Sequence, residues 1–428
     1  MRRFNAACAD FDADFGAFLA EPRGSPADVD AAAGAVIAAV RAEGLAAVLR
    51  FTRQFDRVEL TEQTIRVSRA EIEAGVAACP APVREALSLA AARIEAYHAR
   101  QRPADERFVD GAGLELGWRW TPLDSVGVYV PGGRAAYPSS VLMNVVPAQV
   151  AGVGRIAMVT PPGRLSAAVL AAADIAGVSE IWRVGGAQAI AALAHGAGPI
   201  APVDKIVGPG NAYVTAAKRR LYGVVGLDAM AGPSEIVVVA DAANDPAWIA
   251  ADLLSQAEHD PDAQAILITD DAAFADAVEA AIEDQLCVLA TADAATASLR
   301  EHGAVVIASL ERAPELVDRI APEHVEFALG DPEPLAARVR HAGAIFMGRF
   351  APEAIGDYVA GPNHVLPTSG AARFSSGLSV LDFLKRTSII KCDASAFAAV
   401  SAAVVTLATA EGLPAHARSA SIRTNGPD

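Results

Sequence analysis

Hydrophobic residues recur with two different rhythms along the chain, and the rhythm changes near residue 121. Before that point the apolar positions follow helical spacing. This spacing predicts a short acidic helical extension over 1–22 and two amphipathic helical stretches over 27–55 and 68–101. After residue 121, short apolar runs alternate with helical stretches, so the remainder of the chain is predicted to be mixed α/β.

The apolar runs after residue 121 predict strands at 126–130, 155–160, 180–184, 204–207, 235–240, 264–269, 303–308 and 343–347. Strands that alternate with helices at this spacing indicate parallel sheets with helices on their faces. The runs form two series, which divide near Gly232-Pro233-Ser234. We therefore predict two related parallel-sheet domains, with ligands at the carboxyl ends of their strands.

Two glycine-rich turns stand at such carboxyl ends. Gly185-Gly186 and Gly208-Pro209-Gly210 each follow a predicted strand and open a helix, where backbone N–H groups favour phosphate. The chain contains no GxGxxG, the usual dinucleotide fingerprint. Two interpretations stay open for these glycines, a nucleotide site and a set of tight turns without ligand.

Composition limits the class of protein. The 428 residues carry a net charge of −16, which argues against a surface for nucleic acid or an anionic membrane. Acidic residues near the N-terminus interrupt any signal peptide, and the late apolar run at 397–410 is too short to span a bilayer. The four cysteines form no CxxC pair, so we expect buried thiols in a reducing cytoplasm.

The C-terminal part has a different character. After Arg349 comes a long irregular loop around 356–367, of the kind that tends to be functional. A tail with an apolar helix at 395–411 follows. About forty residues cannot easily form a core of their own. The tail is therefore expected to pack on another domain or on another subunit.

Histidine placement indicates the chemistry. Of the eight histidines, His259, His324, His364 and His416 lie at helix ends or in Gly/Pro-rich segments beside a carboxylate. Neutral imidazoles with carboxylates serve both metal ligation and proton transfer. Gln256 and His259 share a helix face at i and i+3, which is half of a mixed N/O metal site or else a solvated helix cap.

Glu323 and His324 form a candidate acid–base pair. Adjacent side chains of an extended segment point to opposite faces, so both reach one site only if the chain bends, which Pro322 can supply. The alternative is a solvated strand start without chemistry.

Motifs from residue 120 to 416 resemble the histidinol dehydrogenase family in order and spacing, and the first hundred residues resemble it loosely. The motifs are GVYVPGG at 127–133, VGGAQ at 184–188, GPGN at 208–211, AGPSE at 231–235, QAEH at 256–259, PEH at 322–324, GDY at 356–358, NHVLP at 363–367, GLS at 377–379, and EGL at 411–413 with His416. The resemblance implies oxidation of L-histidinol through L-histidinaldehyde to L-histidine with two NAD⁺, the last step of histidine biosynthesis.

The resemblance also implies which residues form the site. It makes Glu323 and His324 catalytic, and Tyr129, Gln188 and Asn211 contacts of NAD. It gives one Zn²⁺ per subunit the ligands Gln256, His259, Asp357 and His416. The substrate contacts it implies are Ser234, Gln256, His259, His324, Asp357, His364, Glu411 and His416.

The family pattern further implies an intertwined homodimer of two Rossmann-like domains with helical extensions. The divisions expected are an N-terminal extension 1–22, a first domain 23–127 with 235–378 that holds metal and catalytic residues, a second domain 128–234 that holds NAD, and a tail 379–428 that crosses to the partner subunit. A relative acting on another amino alcohol or diol is the nearest alternative, followed by a zinc hydrolase, for which HExxH is missing.

Overall fold

The computed structural model describes residues 1–23, 27–132, 137–228 and 232–424. Gly133 and Ala231, the ends of two of the motifs, lie outside these ranges. The strands are β1 Arg2–Asn5, β2 Glu106–Val109, β3 Glu115–Pro122, β4 Ser125–Tyr129, β5 Arg155–Thr160, β6 Glu180–Arg183, β7 Lys205–Val207, β8 Gly226–Leu227, β9 Glu235–Ala240, β10 Gln264–Thr269, β11 Ala304–Ile307, β12 His324–Ala328, β13 Ala344–Met347 and β14 Leu384–Lys391.

Helices occupy most of the remaining chain. They are α1 Phe11–Leu19, α2 Ala27–Glu43, α3 Leu45–Phe51, α4 Arg69–Ala78, α5 Ala81–Ala99, α6 Pro138–Ala151, α7 Ala167–Ile175, α8 Gly186–His195, α9 Ala212–Leu221, α10 Pro246–Ala257, α11 Ala272–Leu286, α12 Ala292–Glu301, α13 Ala313–Ile320, α14 Glu333–Ala336, α15 Glu353–Tyr358, α16 Ala394–Ala410 and α17 Pro414–Ser421.

Two parallel sheets form the frame, as predicted. The six-stranded sheet has the order β1-β11-β10-β9-β12-β13, and the five-stranded sheet has the order β6-β5-β4-β7-β8. Every residue of β9 and β10 is buried, since helices cover both faces of the sheet. Continuous apolar runs made these central strands predictable, and the predicted bounds 155–160, 235–240 and 264–269 are those observed.

The N-terminal residues do more than the predicted helical extension. Arg2–Asn5 form β1, which pairs in parallel with β11 and is an edge strand of the six-stranded sheet. The three phenylalanines of α1, Phe11, Phe15 and Phe18, are buried in the core of the same sheet. The helix therefore docks as expected, but residues 1–22 belong to the six-stranded unit.

The first helical stretches also pack differently from the expected domain division. Val29 and Val36 of α2 share a core with Trp182 of β6, and Ile72 of α4 shares one with Val126 of β4. The helices between residues 27 and 99 therefore cover the five-stranded sheet. The expected division placed them with the six-stranded one. Pattern within a helix cannot say which sheet receives its apolar face.

A third sheet was not predicted. β14, β3 and β2 form an antiparallel three-stranded sheet, in which β14 pairs with β3 from Leu384–Pro122 to Lys391–Glu115. The tail continues into α16 and α17, which pack on each other. Large apolar side chains of this tail remain exposed, namely Ile390, Val404, Leu407, Leu413 and Ile422.

Two expectations from composition concern membrane-spanning helices and the burial of the cysteines. Within the described residues, no helix is both long and apolar enough to cross a membrane. All four cysteines are free, but only Cys79 is buried, so the expectation of buried thiols is wrong for the other three.

An ion pair ties the amino ends of β5 and β6 together. Arg155 donates to Glu180 from Nε at 2.9 Å and from Nη2 at 2.7 Å, and the Trp182 indole N–H donates to Glu180 at 3.0 Å. Burial alone would raise the pKa of Glu180, but these bonds outweigh it, and the pKa is lowered.

We expect Glu180→Gln to lower the free energy of unfolding by about 1 kcal/mol at pH 7, because the carboxylate loses its charge-assisted bonds at a half-buried site. A lowered folded-state pKa stabilises the fold above the unfolded-state pKa, and this contribution disappears as the pH falls through the folded-state value. Denaturant unfolding at pH 7 and pH 3.5 checks this. A difference between the proteins that persists unchanged at pH 3.5 would contradict it.

Candidate active site

The predicted acid–base pair lies at the start of β12, inside the six-stranded sheet. α13 ends at Ile320, and Ala321 takes a left-handed conformation with φ 51° that turns the chain toward the strand. Glu323 and His324 follow and are only 6% and 4% exposed. The required bend is therefore present, one residue before Pro322, and the solvated alternative is excluded.

A single residue, Glu235 at the start of β9, holds both members of the pair through its backbone. Its N–H donates to Glu323 Oε2 at 3.0 Å, and its carbonyl oxygen lies 3.1 Å from His324 Nδ1. Gln256 Oε1 lies 3.0 Å from the same nitrogen. Because two carbonyl oxygens face Nδ1, we assign the hydrogen to Nδ1, which leaves Nε2 free to accept a proton.

Burial favours the uncharged form of both groups. Desolvation lowers the pKa of His324 to about 3, and the nearby His259 and His364 act in the same direction. Desolvation also raises the pKa of Glu323 well above its ordinary value, although the N–H of Glu235 opposes this shift. A neutral imidazole beside a carboxyl group with a raised pKa is suited to moving protons at a substrate atom.

The predicted metal ligands Gln256, His259 and Asp357 approach this pair from two elements. Gln256 is buried in the last turn of α10, and its Nε2 lies 3.4 Å from Nδ1 of His259, which follows the helix end and is exposed. Asp357 lies on α15, and His364 Nδ1 donates to its backbone oxygen at 3.0 Å. The predicted loop thus begins as a short helix.

Glu353 also belongs to the site, although the sequence pattern did not predict it. Atoms of His324, Glu353 and Asp357 that can bind a metal lie within 4.8 Å of one another. Glu353 Oε1 is buried, has no hydrogen-bond partner in the described structure, and lies 3.8 Å from His324 Nε2. Glu353 and Asp357 are four residues apart, so one face of α15 presents both, a spacing visible in the sequence once a helix is assigned there.

The buried carboxylates crowd each other. Desolvation raises the pKa of Glu353 to about 8 and that of Asp357 to about 6, and for Glu353 the charge of Asp357 adds to the shift. A bound cation would relieve this crowding, because it offsets both the lost hydration and the repulsion. The N/O donor set of Gln256, His259, Asp357 and Glu353 therefore fits a divalent ion such as zinc.

The remaining predicted substrate contacts differ in position. The backbone oxygen of Ser234 accepts a bond from Gln264 N–H at 2.9 Å, next to the Glu235 peptide. Glu411 and His416 lie on the exposed tail, at the end of α16 and in α17. Across the described ranges, no hydrogen bond or ion pair joins these two side chains to the rest of the predicted site.

The predicted NAD contacts gather at the carboxyl edge of the five-stranded sheet. Tyr129 ends β4, and its hydroxyl accepts from the Gly186 N–H at 3.1 Å. Burial raises the pKa of this hydroxyl to about 12, so it stays protonated. Gln188 is buried in the first turn of α8, and Asn211 caps α9 by accepting from the N–H groups of Tyr213 and Val214 at 3.1 Å.

The predicted acid–base pair lies at an amino edge of its sheet, whereas the predicted NAD contacts lie at a carboxyl edge. Glu235 and His324 begin their strands, so the pair lies at the amino ends of the six-stranded sheet, and the prediction of carboxyl ends is wrong there. Asp228 follows β8 of the five-stranded sheet, and Glu235 begins β9, a central strand of the six-stranded sheet. The seven residue-to-residue steps between them limit their separation to about 25 Å.

Fold and site together define an α/β enzyme with a buried acid–base pair, a cluster of metal-binding side chains and a second parallel sheet nearby. The family model for histidinol dehydrogenase matches residues 20–424. The chain belongs to the histidinol dehydrogenase family.

Individual relatives agree with this assignment over the whole chain. The histidinol dehydrogenase of Caulobacter vibrioides is 72% identical and covers 100% of both chains, and that of Rhodospirillum rubrum is 58% identical over 99% of this chain and 98% of its own. A crystal structure of histidinol dehydrogenase from Elizabethkingia anophelis superimposes with a TM-score of 0.94 at 35% identity, covering 99% of this chain and 98% of that one. The chain is therefore an oxidoreductase of this family.

We expect His324 to remain neutral in the metal-free protein from pH 8 down to pH 5, with its hydrogen on Nδ1, because burial lowers its pKa to about 3. Long-range ¹H–¹⁵N spectra of histidine-labelled protein report both the tautomer and the charge. The resonance is assigned by its loss in His324→Gln. A midpoint near the ordinary value of about 6.5, or a hydrogen on Nε2, would contradict the assignment.

Proposed function

We propose that the chain is a zinc-dependent histidinol dehydrogenase that oxidises L-histidinol through L-histidinaldehyde to L-histidine with two NAD⁺. The observation that carries the proposal is the free Nε2 of His324, held by two acceptors on Nδ1, beside a group of metal-binding side chains. Such a nitrogen is placed to take the proton of a substrate hydroxyl.

We place the metal at Gln256, His259 and Asp357, with His416 of a second copy as the remaining ligand. Bound there, zinc would hold the substrate's imidazole and amino nitrogen and orient the carbon that is oxidised. Glu353 lies close enough to Asp357 to interact with the same metal ion, so the proposed ligand set is larger than the one the resemblance implied.

His324 is proposed to act in the first oxidation. Its Nε2 removes the hydroxyl proton as the carbon loses a hydride, and the bonds from Nδ1 to Glu235 and Gln256 keep the ring in orientation. The imidazolium that forms is stabilised by these acceptors and by Glu353, whose Oε1 lies 3.8 Å from Nε2.

Glu323 is proposed to act in the second oxidation. Once deprotonated it takes a proton from a water molecule, whose oxygen adds to the aldehyde carbon, while the His324 imidazolium returns its proton to the carbonyl oxygen; this forms the hydrate and leaves His324 neutral. His324 then removes a hydroxyl proton of the hydrate as the second hydride leaves, which yields the carboxylic acid. Ser234, His364 and Glu411 are proposed to hold the rest of the substrate.

NAD⁺ is proposed to bind at Tyr129, Gln188 and Asn211, where its nicotinamide accepts one hydride in each oxidation. The N-terminus of α8 lies at this edge and favours an anionic group. The short connection from Asp228 to Glu235 supports the transfer, since it keeps the cofactor edge close to the catalytic edge.

A homodimer with shared sites is proposed from the tail. α16 and α17 pack mainly on each other and expose Val404, Leu407 and Leu413, an apolar surface that a second copy would cover. Glu411 and His416 sit on this tail, and within the part of the chain that the structure describes no hydrogen bond or ion pair joins their side chains to their own chain's site. In such a dimer each tail completes the site of its partner.

Another amino alcohol or a diol as substrate is the alternative within the same chemistry. NAD⁺ reduction with histidinol and with simple diols distinguishes them, and turnover of diols alone would reject our substrate. A zinc hydrolase would use Glu323 with a metal-bound water, but a hydrolase has no use for the cofactor edge. We propose a cytoplasmic location, which the four free cysteines support.

We expect Glu323→Gln to slow NADH formation from histidinaldehyde by a factor of roughly 10²–10⁴, and His324→Gln to slow NADH formation from both histidinol and the aldehyde. The reason is that water activation belongs to the second oxidation, whereas proton removal belongs to both. Single-turnover rates with each substrate check this. Glu333→Gln, an exposed change, serves as control, and near-normal rates in either test variant would contradict the assigned roles.

Shared sites predict complementation between inactive variants. A heterodimer of Glu323→Gln and His416→Ala subunits keeps one intact site, because the intact core of one chain meets the intact tail of the other. Random reassembly should restore roughly a quarter of wild-type activity. Mixing the two denatured variants, refolding them together and measuring NADH formation checks this. No recovery in a sample shown to contain heterodimers would contradict the shared site.

A further inference from the structure

A buried ion pair lies under the second glycine-rich turn. Lys218 of α9 is 3% exposed, and its Nζ donates to Asp228 Oδ1 at 2.6 Å and to the Gly208 carbonyl oxygen at 2.5 Å. The other carboxylate oxygen, Asp228 Oδ2, accepts from the Gly208 N–H at 2.7 Å. One ion pair therefore holds both the donor and the acceptor of a single glycine.

Gly208 is the residue on which the local geometry depends. Its φ is 105°, a conformation that favours glycine, and a Cβ at this position would lie 2.2 Å from the Tyr129 carbonyl oxygen. The turn that begins at Gly208 ends at Asn211, the cap of α9. The ion pair thus fixes the backbone of Gly208, which lies against Tyr129 and leads to Asn211. Both Tyr129 and Asn211 are proposed NAD contacts.

Stability alone does not account for two charges in this place. Removing a lysine and an aspartate from water is costly, and apolar residues of similar volume often stabilise a fold equally well or better. β7, which precedes the turn, is already paired with β4 and β8. What the charges add is a defined position for the backbone of Gly208, since Asp228 bonds to its N–H and Lys218 to its carbonyl oxygen.

We propose that Lys218 and Asp228 are positioning residues for the dinucleotide, holding the Gly208 turn so that Tyr129 and Asn211 are arranged before NAD⁺ arrives. This inference rests on the proposed NAD site at the same edge. Neither side chain touches the cofactor in this role. Their effect is on the affinity for NAD⁺, because an unheld turn must be ordered during binding.

The test replaces the pair by apolar residues, Lys218→Met with Asp228→Leu, so that no unpaired charge stays buried. We expect the Kd for NAD⁺ to rise on the order of tenfold, as for a misplaced binding group, while the KM for histidinol stays within a factor of about two. Calorimetry with NAD⁺, initial rates at varied substrate, and melting temperature are measured on the full chain. The single variant Lys218→Arg, which keeps the positive charge, should bind NAD⁺ more tightly than the apolar double variant.

The matched control is the ion pair at the opposite edge of the same sheet, changed as Arg155→Met with Glu180→Leu. It should leave the Kd for NAD⁺ unchanged, and its melting temperature shows how far a change in stability alone affects that Kd. Wild-type affinity for NAD⁺ in the Lys218/Asp228 double variant would overturn the inference, as would an equal loss in the control. Failure of the wild-type chain to bind NAD⁺ would instead reject the proposed cofactor, and the inference with it.

Discussion

The candidate site depends on the backbone of one residue, Glu235, which is fixed by the strand ladder and in turn holds the side chains of Glu323 and His324, the proposed acid–base pair. β9 pairs with β12 on one side and with β10 on the other, so the Glu235 backbone has little freedom. Its N–H and C=O then reach Glu323 and His324. Its side chain pairs with Arg23 and accepts from the Ser369 N–H at 3.1 Å. The geometry of the proposed acid–base pair is therefore set by the sheet, the most rigid part of the fold.

The short connection between Asp228 and Glu235 limits how the two sheets can be arranged. A hydride donor and a hydride acceptor must meet, so substrate and dinucleotide need adjacent sites. The carboxyl edge of the five-stranded sheet offers helix N-termini, which suit phosphates. The amino edge of the six-stranded sheet offers the C-terminal end of α10, which suits a cation because helix C-termini carry partial negative charge. Only seven residue-to-residue steps separate Asp228, after the last strand of the five-stranded sheet, from Glu235, which begins β9, and this limits how far apart these complementary edges can lie.

The sequence predicted the features that depend on local pattern. Central strands such as β5, β9 and β10 appear as apolar runs with the observed bounds, because both faces are buried. It missed features that depend on tertiary contact. β1 is too short and too polar to be recognised without β11, and the antiparallel sheet joins strands from distant parts of the chain. Glu353 was missed because nothing marks α15 as helical until its packing is known, and the resemblance indicated only Asp357 on it.

The buried acidic groups near the candidate metal site crowd each other, and a bound cation would account for their burial. Asp252, Glu326, Glu353 and Asp357 all have pKa values raised by desolvation, and repulsion between neighbours adds to this for Asp252, Glu326 and Glu353. Such a cluster opposes folding when it is ionised and empty, because each charge loses hydration without gaining a counter-charge. A divalent cation reverses the balance, since it converts repulsion between ligands into shared attraction. If the proposed metal binds here, its affinity and the stability of the fold would be coupled, and the same carboxylates that weaken the empty site would strengthen the loaded one.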